Sequence, residues 1–295
     1  MFRSWKIGTA FGIGVHIHPT FWILPVIFAV NGLSMGFGYV ALTLVVLAGA
    51  MACVVLHEFG HALMARYFGI RTRDITLYPI GGVARLERLS ERPSEELLIA
   101  IAGPAVNVVI AGLLLPLVLL MGVNLQLLEW TGPPVGFILI NLFLINVGLV
   151  LFNLIPAFPM DGGRVLRALL SMPFGRLRAT EIAASLGLVI AVLFGLGFIF
   201  LRNVEPFFNQ PMLLLVAVFI AFVGQRELAF VRYQESARRA REAAPEVVST
   251  APILYDVTGE PIRPGFSGFL WNGRLRAWVL WRDGRPVASY GAGPE

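Results

Sequence analysis

The sequence predicts an all-α polytopic membrane protein of about six transmembrane helices, with a small β element at the membrane surface and a short β-rich cytoplasmic tail. Three observations carry that expectation. The 295 residues are 57% hydrophobic and 14% charged, with a mean hydropathy of +0.77, whereas soluble domains run near ~25% charged. Six apolar stretches approach the ~20 residues needed to cross a bilayer. Between them, arginine-rich and arginine-free connections alternate.

The elements follow in order. Residues 12–19 alternate Ile13, Val15 and Ile17 against Gly14, His16 and His18, the period-two pattern of a strand. The first apolar stretch, 20–35, is the weakest, being short and ending in the soft turn Asn31-Gly32-Leu33-Ser34. No cleavable signal peptide is expected, because this stretch follows a β-like segment and lacks a small-residue cleavage site. The other five stretches are 39–65, 96–122, 135–156, 181–201 and 211–230. Residues 74–87 read as two strands around Gly81-Gly82, a hairpin at the membrane surface. After the sixth stretch, 238–246 reads as a charged helical end. Turn pairs at Asn272-Gly273 and Asp283-Gly284 then separate apolar strands such as 277–281.

Charge sets the orientation. Arg3 and Lys6 precede the first stretch, none lies in 31–39, and Arg66, Arg71, Arg73, Arg85, Arg88 and Arg92 follow the second. The 123–134 connection again has none, Arg164, Arg167, Arg176 and Arg178 come next, Arg202 stands alone, and the end of the last stretch leads into Arg226, Arg232, Arg238, Arg239 and Arg241. By the positive-inside rule both termini are cytoplasmic, in a multi-pass protein of the cell membrane. The net charge of +5 flanks apolar segments instead of forming a basic domain, so it reads as topology and lipid contact, not nucleic-acid binding. The single cysteine, Cys53, excludes an intrachain disulfide.

Chemistry concentrates in His57-Glu58-Phe59-Gly60-His61. Across residues 20–65 the only formal charge is Glu58, and two histidines beside a carboxylate in so apolar a run are costly unless they bind something. Four residues apart on a helix, His57 and His61 face the same way and can share one metal, with Glu58 about 100° round and able to hold a water there. A catalytic zinc site takes three protein ligands and keeps one position open, so a third ligand is needed. Asp161 is the best candidate. It follows Asn153-Leu154-Ile155-Pro156-Ala157-Phe158-Pro159-Met160 and precedes Gly162-Gly163, and such a broken helix at membrane depth must line a cavity or be buried in protein. The alternative is that Asp161 caps a helix over 162–170 and pairs with Arg164. Cys53, one turn before His57, is a conceivable fourth ligand but reads better as small buried filler. His16 and His18 share a strand face, yet two histidines without a third partner are a weak metal signal. Asp74, Glu87, Glu91, Glu95 and Glu96 read as a solvated loop.

Taken together, these residues resemble the site-2 proteases, intramembrane zinc metalloproteases. The resemblance rests on His57-Glu58-x-x-His61, on Gly103-Pro104-Ala105-Val106-Asn107 in the third stretch and on 153–163, and it covers roughly residues 10–175. It implies that His57, His61 and Asp161 bind zinc (Zn2+), that Glu58 is general base and acid, and that Asn153 helps hold the substrate or its oxyanion. Gly103, Pro104 and Asn107 are then core residues packed close to the site. The implied activity is endoproteolysis in or near transmembrane segments of membrane-protein substrates, with the lipid bilayer as surroundings and oligomer formation left open. Residues 1–232 form the protease domain, with its metal core at about 39–175, and 233–295 the charged linker and small β-rich module. That tail is too short for the CBS or PDZ domains that family members append. A zinc transporter would need ligands strung along a path, and a non-catalytic scaffold would not need Glu58.

Overall fold

The computed structural model describes residues 4–79, 81–88, 90, 92–122, 134–201, 211–243, 267–272 and 276–291. The expected 123–134 connection, for all but Pro134, and the Asn272-Gly273 turn at Gly273 lie outside the described residues, as do 244–266. The chain divides into two compact units, Met1–Ser236 and Ala237–Glu295.

In the first unit, β1 (Trp5–Ala10) and β2 (Ile13–Ile17) lead into α1 (Ile23–Gly32), α2 (Phe37–Tyr67), β3 (Thr72–Tyr78), β4 (Gly81–Leu86) and α3 (Pro93–Leu120). α4 (Pro134–Asn153), α5 (Asp161–Phe174), α6 (Arg176–Leu201) and α7 (Pro211–Ala243), the last as far as Ser236, complete its helices. Five of them, α2, α3, α4, α6 and α7, are long and apolar enough to cross a membrane. The chain is an integral membrane protein of mostly helical fold with small β sheets.

The first expected span differs from the others. It is α1 flanked by short 3-10 turns at Pro19–Trp22 and Leu33–Met35, shorter than a full span. Its geometry is nonetheless constrained from both sides. β2 pairs in parallel with β3, with Ile17 opposite Leu77, on the side where α2 ends. Residues 19–36 lead from this pairing to Phe37, where the 31-residue α2 begins, and α1 packs against α2 on the way.

A four-stranded sheet of order β1-β2-β3-β4 lies against α2. Ile13 and Val15 of β2 and Ile75 of β3 form one apolar cluster with Phe59 and Ala62 of α2, which accounts for the alternation visible in residues 12–19. β1 escaped prediction because all six of its side chains are exposed, so no alternation marks it. The β3–β4 hairpin is present, but Gly81 and Gly82 open β4 and pair with Tyr78 and Leu77; they are not the turn. Glu96 is a second departure. It does not sit in a solvated loop but in the first turn of α3, where its carboxylate accepts from Arg167 Nε of α5 at 2.8 Å. Arg167 is 2% exposed and also donates to Glu227 of α7, so one guanidinium ties three helices together inside the fold.

In the second unit, β5 (Gly268–Asn272), β6 (Ala277–Arg282) and β7 (Arg285–Gly291) form an antiparallel three-stranded sheet. Asp283 and Gly284 take positive φ of 52° and 74°, the two-residue turn that matches strand twist and that the Asp-Gly pair foretells.

Candidate metal centre

α2 and α3 cross very closely at the site. A Cβ on Gly60 would stand 2.5 Å from the Ala102 carbonyl oxygen, so only glycine allows the approach. Across that contact α2 presents His57 and His61, both 6% exposed. Their Nε2 atoms are 3.1 Å apart. Each ring is held at its other nitrogen: His57 Nδ1 lies 2.6 Å from Asn107 Oδ1, and His61 Nδ1 lies 2.7 Å from the Ile99 carbonyl oxygen. A carbonyl can only accept, so His61 Nδ1 donates and its Nε2 keeps a lone pair. Pro104 loosens α3 near this contact, because it has no N–H for the Ala100 carbonyl.

The third group comes from beyond α4. After Asn153 the chain leaves the helix, turns through 154–160 and restarts at Asp161, which opens α5. Pro156 and Pro159 prevent helix continuation, and the turn closes on itself through Met160 N–H to the Ala157 carbonyl at 3.0 Å. A Cβ on Gly163 would meet the Ala157 carbonyl carbon at 2.6 Å, so the glycine lets the turn fold back on α5. Met160, not Asp161, is the N-cap residue of α5. Asp161 Oδ2 is 3.2 Å from both His57 Nε2 and His61 Nε2.

These residues fit a metal ion. One atom each of His57, His61 and Asp161 lie within 4.8 Å of one another, all buried. A bare imidazole nitrogen and a carboxylate oxygen facing each other without a proton repel, and a cation between them removes the repulsion. Room for it exists only because residue 103 is glycine: a Cβ there would collide with His61 Nε2 and come within 2.8 Å of His57 Nε2. Gly103 therefore opens the space in front of the ligands, and Asn107 touches a ligand directly, a closer role than general core packing.

Beside the ligands is a cavity of about 380 Å³ lined by His57, Glu58, His61, Asn153, Asp161 and Arg164, with β4 along one wall. Glu58 Oε2 accepts the Ala84 backbone N–H of β4 at 3.0 Å. β4 is an edge strand of its sheet, as β1 is at the other side. Asn153 lines the cavity but gives one amide hydrogen to the Leu149 carbonyl of its own helix at 2.9 Å.

This arrangement agrees with what known proteins of similar sequence carry. The family model described as peptidase family M50 matches residues 45–138 and 125–194, which together span every residue of the metal cluster. The chain belongs to peptidase family M50. A zinc metalloprotease of Methanocaldococcus jannaschii is 32% identical over 284 residues, covering 96% of this chain and 76% of that protein. Stage IV sporulation protein FB of Bacillus subtilis is 31% identical over 179 residues, 58% of this chain and 54% of that one. Among solved structures, a site-2 protease from Methanocaldococcus jannaschii superposes with a TM-score of 0.53 at 32% identity, over 77% of this chain and 95% of that one. M50 membership makes the chain a zinc metalloprotease of the intramembrane, site-2 type, and among the described residues His57, His61 and Asp161 form the cluster that could hold its metal.

The remaining candidates fall outside that cluster. Cys53 is buried and its Sγ accepts from Asn146 at 3.3 Å. His18 Nδ1 is 2.7 Å from Thr20 Oγ1 and the ring stacks on Tyr78. His16 sits on β2 opposite Lys6 and Thr76. Sequence reasoning missed Asn146, fully buried in α4 and bonded to Asn107. Its signal was an amide in an apolar span, a group that must find a partner. Asn141 carries the same signal yet satisfies itself on the Phe137 carbonyl one turn back, which shows why the signal alone does not single out Asn146.

Proposed function

We propose that the chain is an endopeptidase that hydrolyses peptide bonds in or near transmembrane segments of membrane-protein substrates, the cutting step of regulated intramembrane proteolysis, with Glu58 as general base and then general acid. The observation that carries this reading is the meeting, in one cavity, of three ligand atoms, a carboxylate outside the ligand set and a free strand edge.

When bound, zinc supplies Lewis acidity that polarises the scissile carbonyl and lowers the pKa of a neighbouring water toward ~7. His57, His61 and Asp161 hold it. Glu58 accepts the proton of the attacking water and delivers it to the leaving amine, a two-way transfer within reach of one carboxylate. The Ala84 N–H keeps one oxygen, Oε2, fixed, leaving Oε1 for the proton.

A substrate helix hides its carbonyls in hydrogen bonds, so it must unwind before attack. The unwound segment adds to the β4 edge. With the Ala84 amide committed to Glu58, pairing falls to the other outward positions, Gly82 and Leu86, two residues to either side. That register sets the peptide level with Glu58. Asn153, at the cavity wall, has a second amide hydrogen for the substrate or its oxyanion.

The same reading assigns 1–232 as the protease domain and 233–295 as a cytoplasmic linker and module. It holds that six passes with both termini cytoplasmic are set in the cell membrane. The alternation of arginines supports it. The test is cleavage of a transmembrane substrate by protein reconstituted in liposomes, with loss of cleavage on chelation and return on adding zinc. Cleavage undiminished by complete zinc removal would overturn the reading.

A further inference from the structure

The three helices around the metal centre share a buried line of amides whose direction is dictated at one end. Asn107 and Asn146 are both 0% exposed, so neither can turn to water for a partner. Asn146 Nδ2 donates to the Leu142 backbone carbonyl at 2.8 Å. A carbonyl accepts only, so the amide face of Asn146 toward Leu142 must be its nitrogen, and its Oδ1 points the other way. That Oδ1 accepts from Asn107 Nδ2 at 2.8 Å. Asn107 is thereby oriented in turn, and its Oδ1 faces His57 Nδ1 at 2.6 Å. Facing an oxygen that only accepts, His57 Nδ1 must carry the proton.

We infer that Asn146, acting through Asn107, fixes His57 in the tautomer that leaves Nε2 bare for the metal, so that the Leu142 carbonyl sets the protonation of a ligand on another helix. The inference rests on the zinc reading above and extends it to two positioning residues. His61 is served directly by the Ile99 carbonyl; His57 has no carbonyl of its own and receives the same instruction through two side chains. Neutral imidazole in apolar surroundings has no strong preference between tautomers strong enough to replace this, and an Asn107 rotated by 180° would present its nitrogen to His57 and demand the wrong one. Cys53 assists: its Sγ takes the remaining hydrogen of Asn146 Nδ2 at 3.3 Å, leaving no free donor that could reward a flip.

The role is separable from packing because a carboxylate at 107 accepts from His57 Nδ1 whatever stands at 146. Three full-length variants in detergent decide it: Asn146→Leu, Asn107→Asp and the double variant. Two readouts are used, zinc affinity by chelator competition and 15N spectra of histidine-labelled protein, in which only four histidines contribute. Asn146→Leu is expected to weaken zinc roughly 10- to 100-fold, the range for losing an outer partner of a ligand, and to mix the His57 tautomers. Asn107→Asp is expected to keep the single Nδ1–H signal of His57 although its carboxylate faces Asn146 Oδ1, and the double variant, with that oxygen removed, to hold zinc within about threefold of wild type with the same signal.

Wild-type affinity and a single tautomer in Asn146→Leu would overturn the inference, and so would failure of Asn107→Asp to restore zinc in the double variant, since a packing defect is not repaired by a charge next door. Should Asn146→Leu not fold, the 15N spectrum of Asn107→Asp decides, because mixed His57 tautomers beside a carboxylate mean that the group at 107 does not act as an acceptor for His57. Failure of the zinc reading itself is distinct: wild-type protein would then bind no stoichiometric zinc at all.

Discussion

Ala84 gives its backbone N–H to the Glu58 carboxylate at 3.0 Å, joining the edge of the surface sheet to the acid beside the metal ligands. The contact depends on a glycine two residues earlier. A Cβ at Gly82 would stand 2.6 Å from Glu58 Cγ, so any side chain there displaces the carboxylate from both the Ala84 amide and the ligands. Gly82→Ala is expected to keep zinc and fold but to lose about 10- to 100-fold in kcat, since misplacing a catalytic group by about 1 Å costs up to that order. Parallel assays of zinc content and peptide cleavage check it; unchanged kcat means Glu58 tolerates displacement.

Metal retention should follow the cluster and its cradle. Asp161→Ala removes the only anionic ligand, and Gly103→Ala fills the space in front of His61 and His57. Both proteins are expected to lose most of their zinc by elemental analysis while retaining helical circular dichroism. Undiminished zinc in Asp161→Ala removes that residue from the site.

Arg167 predicts a stability effect separate from catalysis. Its guanidinium is buried and satisfied by Glu96 and Glu227, so Arg167→Met leaves two carboxylates uncompensated. Breaking a buried pair by removing one partner costs about 3–5 kcal/mol. Thermal unfolding in detergent should show a drop of many degrees for Arg167→Met and a smaller one for the double variant with Glu227→Gln. Equal Tm values for wild type and Arg167→Met contradict the assignment.

How much of this was legible in the sequence follows from where the signals are local. The H-E-x-x-H spacing, the long apolar spans and the Pro and Gly interruption around Asp161 each declare themselves within one continuous segment, and the structure brings His57, His61 and Asp161 to within 4.8 Å. What could not be read depends on residues far apart in the chain. Glu96 looked solvated because its partner Arg167 lies 71 positions away. Asn146 reads as one polar residue among several in α4 until α3 is set beside it. β1, with every side chain exposed, offers no pattern to read.

Topology gives an independent check. If arginine placement orients the chain, single cysteines placed at solvent-exposed positions of the β3–β4 region, in a Cys53→Ser background, are expected to react with membrane-impermeant reagents only from the cytoplasmic side. Labelling of residues 70–92 from outside reverses the orientation.

The most direct test of the central claim is the Glu58→Gln protein. Glutamine preserves shape and leaves His57, His61 and Asp161 untouched, but its amide cannot take a proton from water. In liposomes with a transmembrane substrate, the variant is expected to hold zinc at the wild-type ratio while its cleavage rate falls by ~10² to 10⁴, the usual contribution of a general base. Cleavage at the wild-type rate with zinc in place would contradict the mechanism, because the proton would then be leaving by another route.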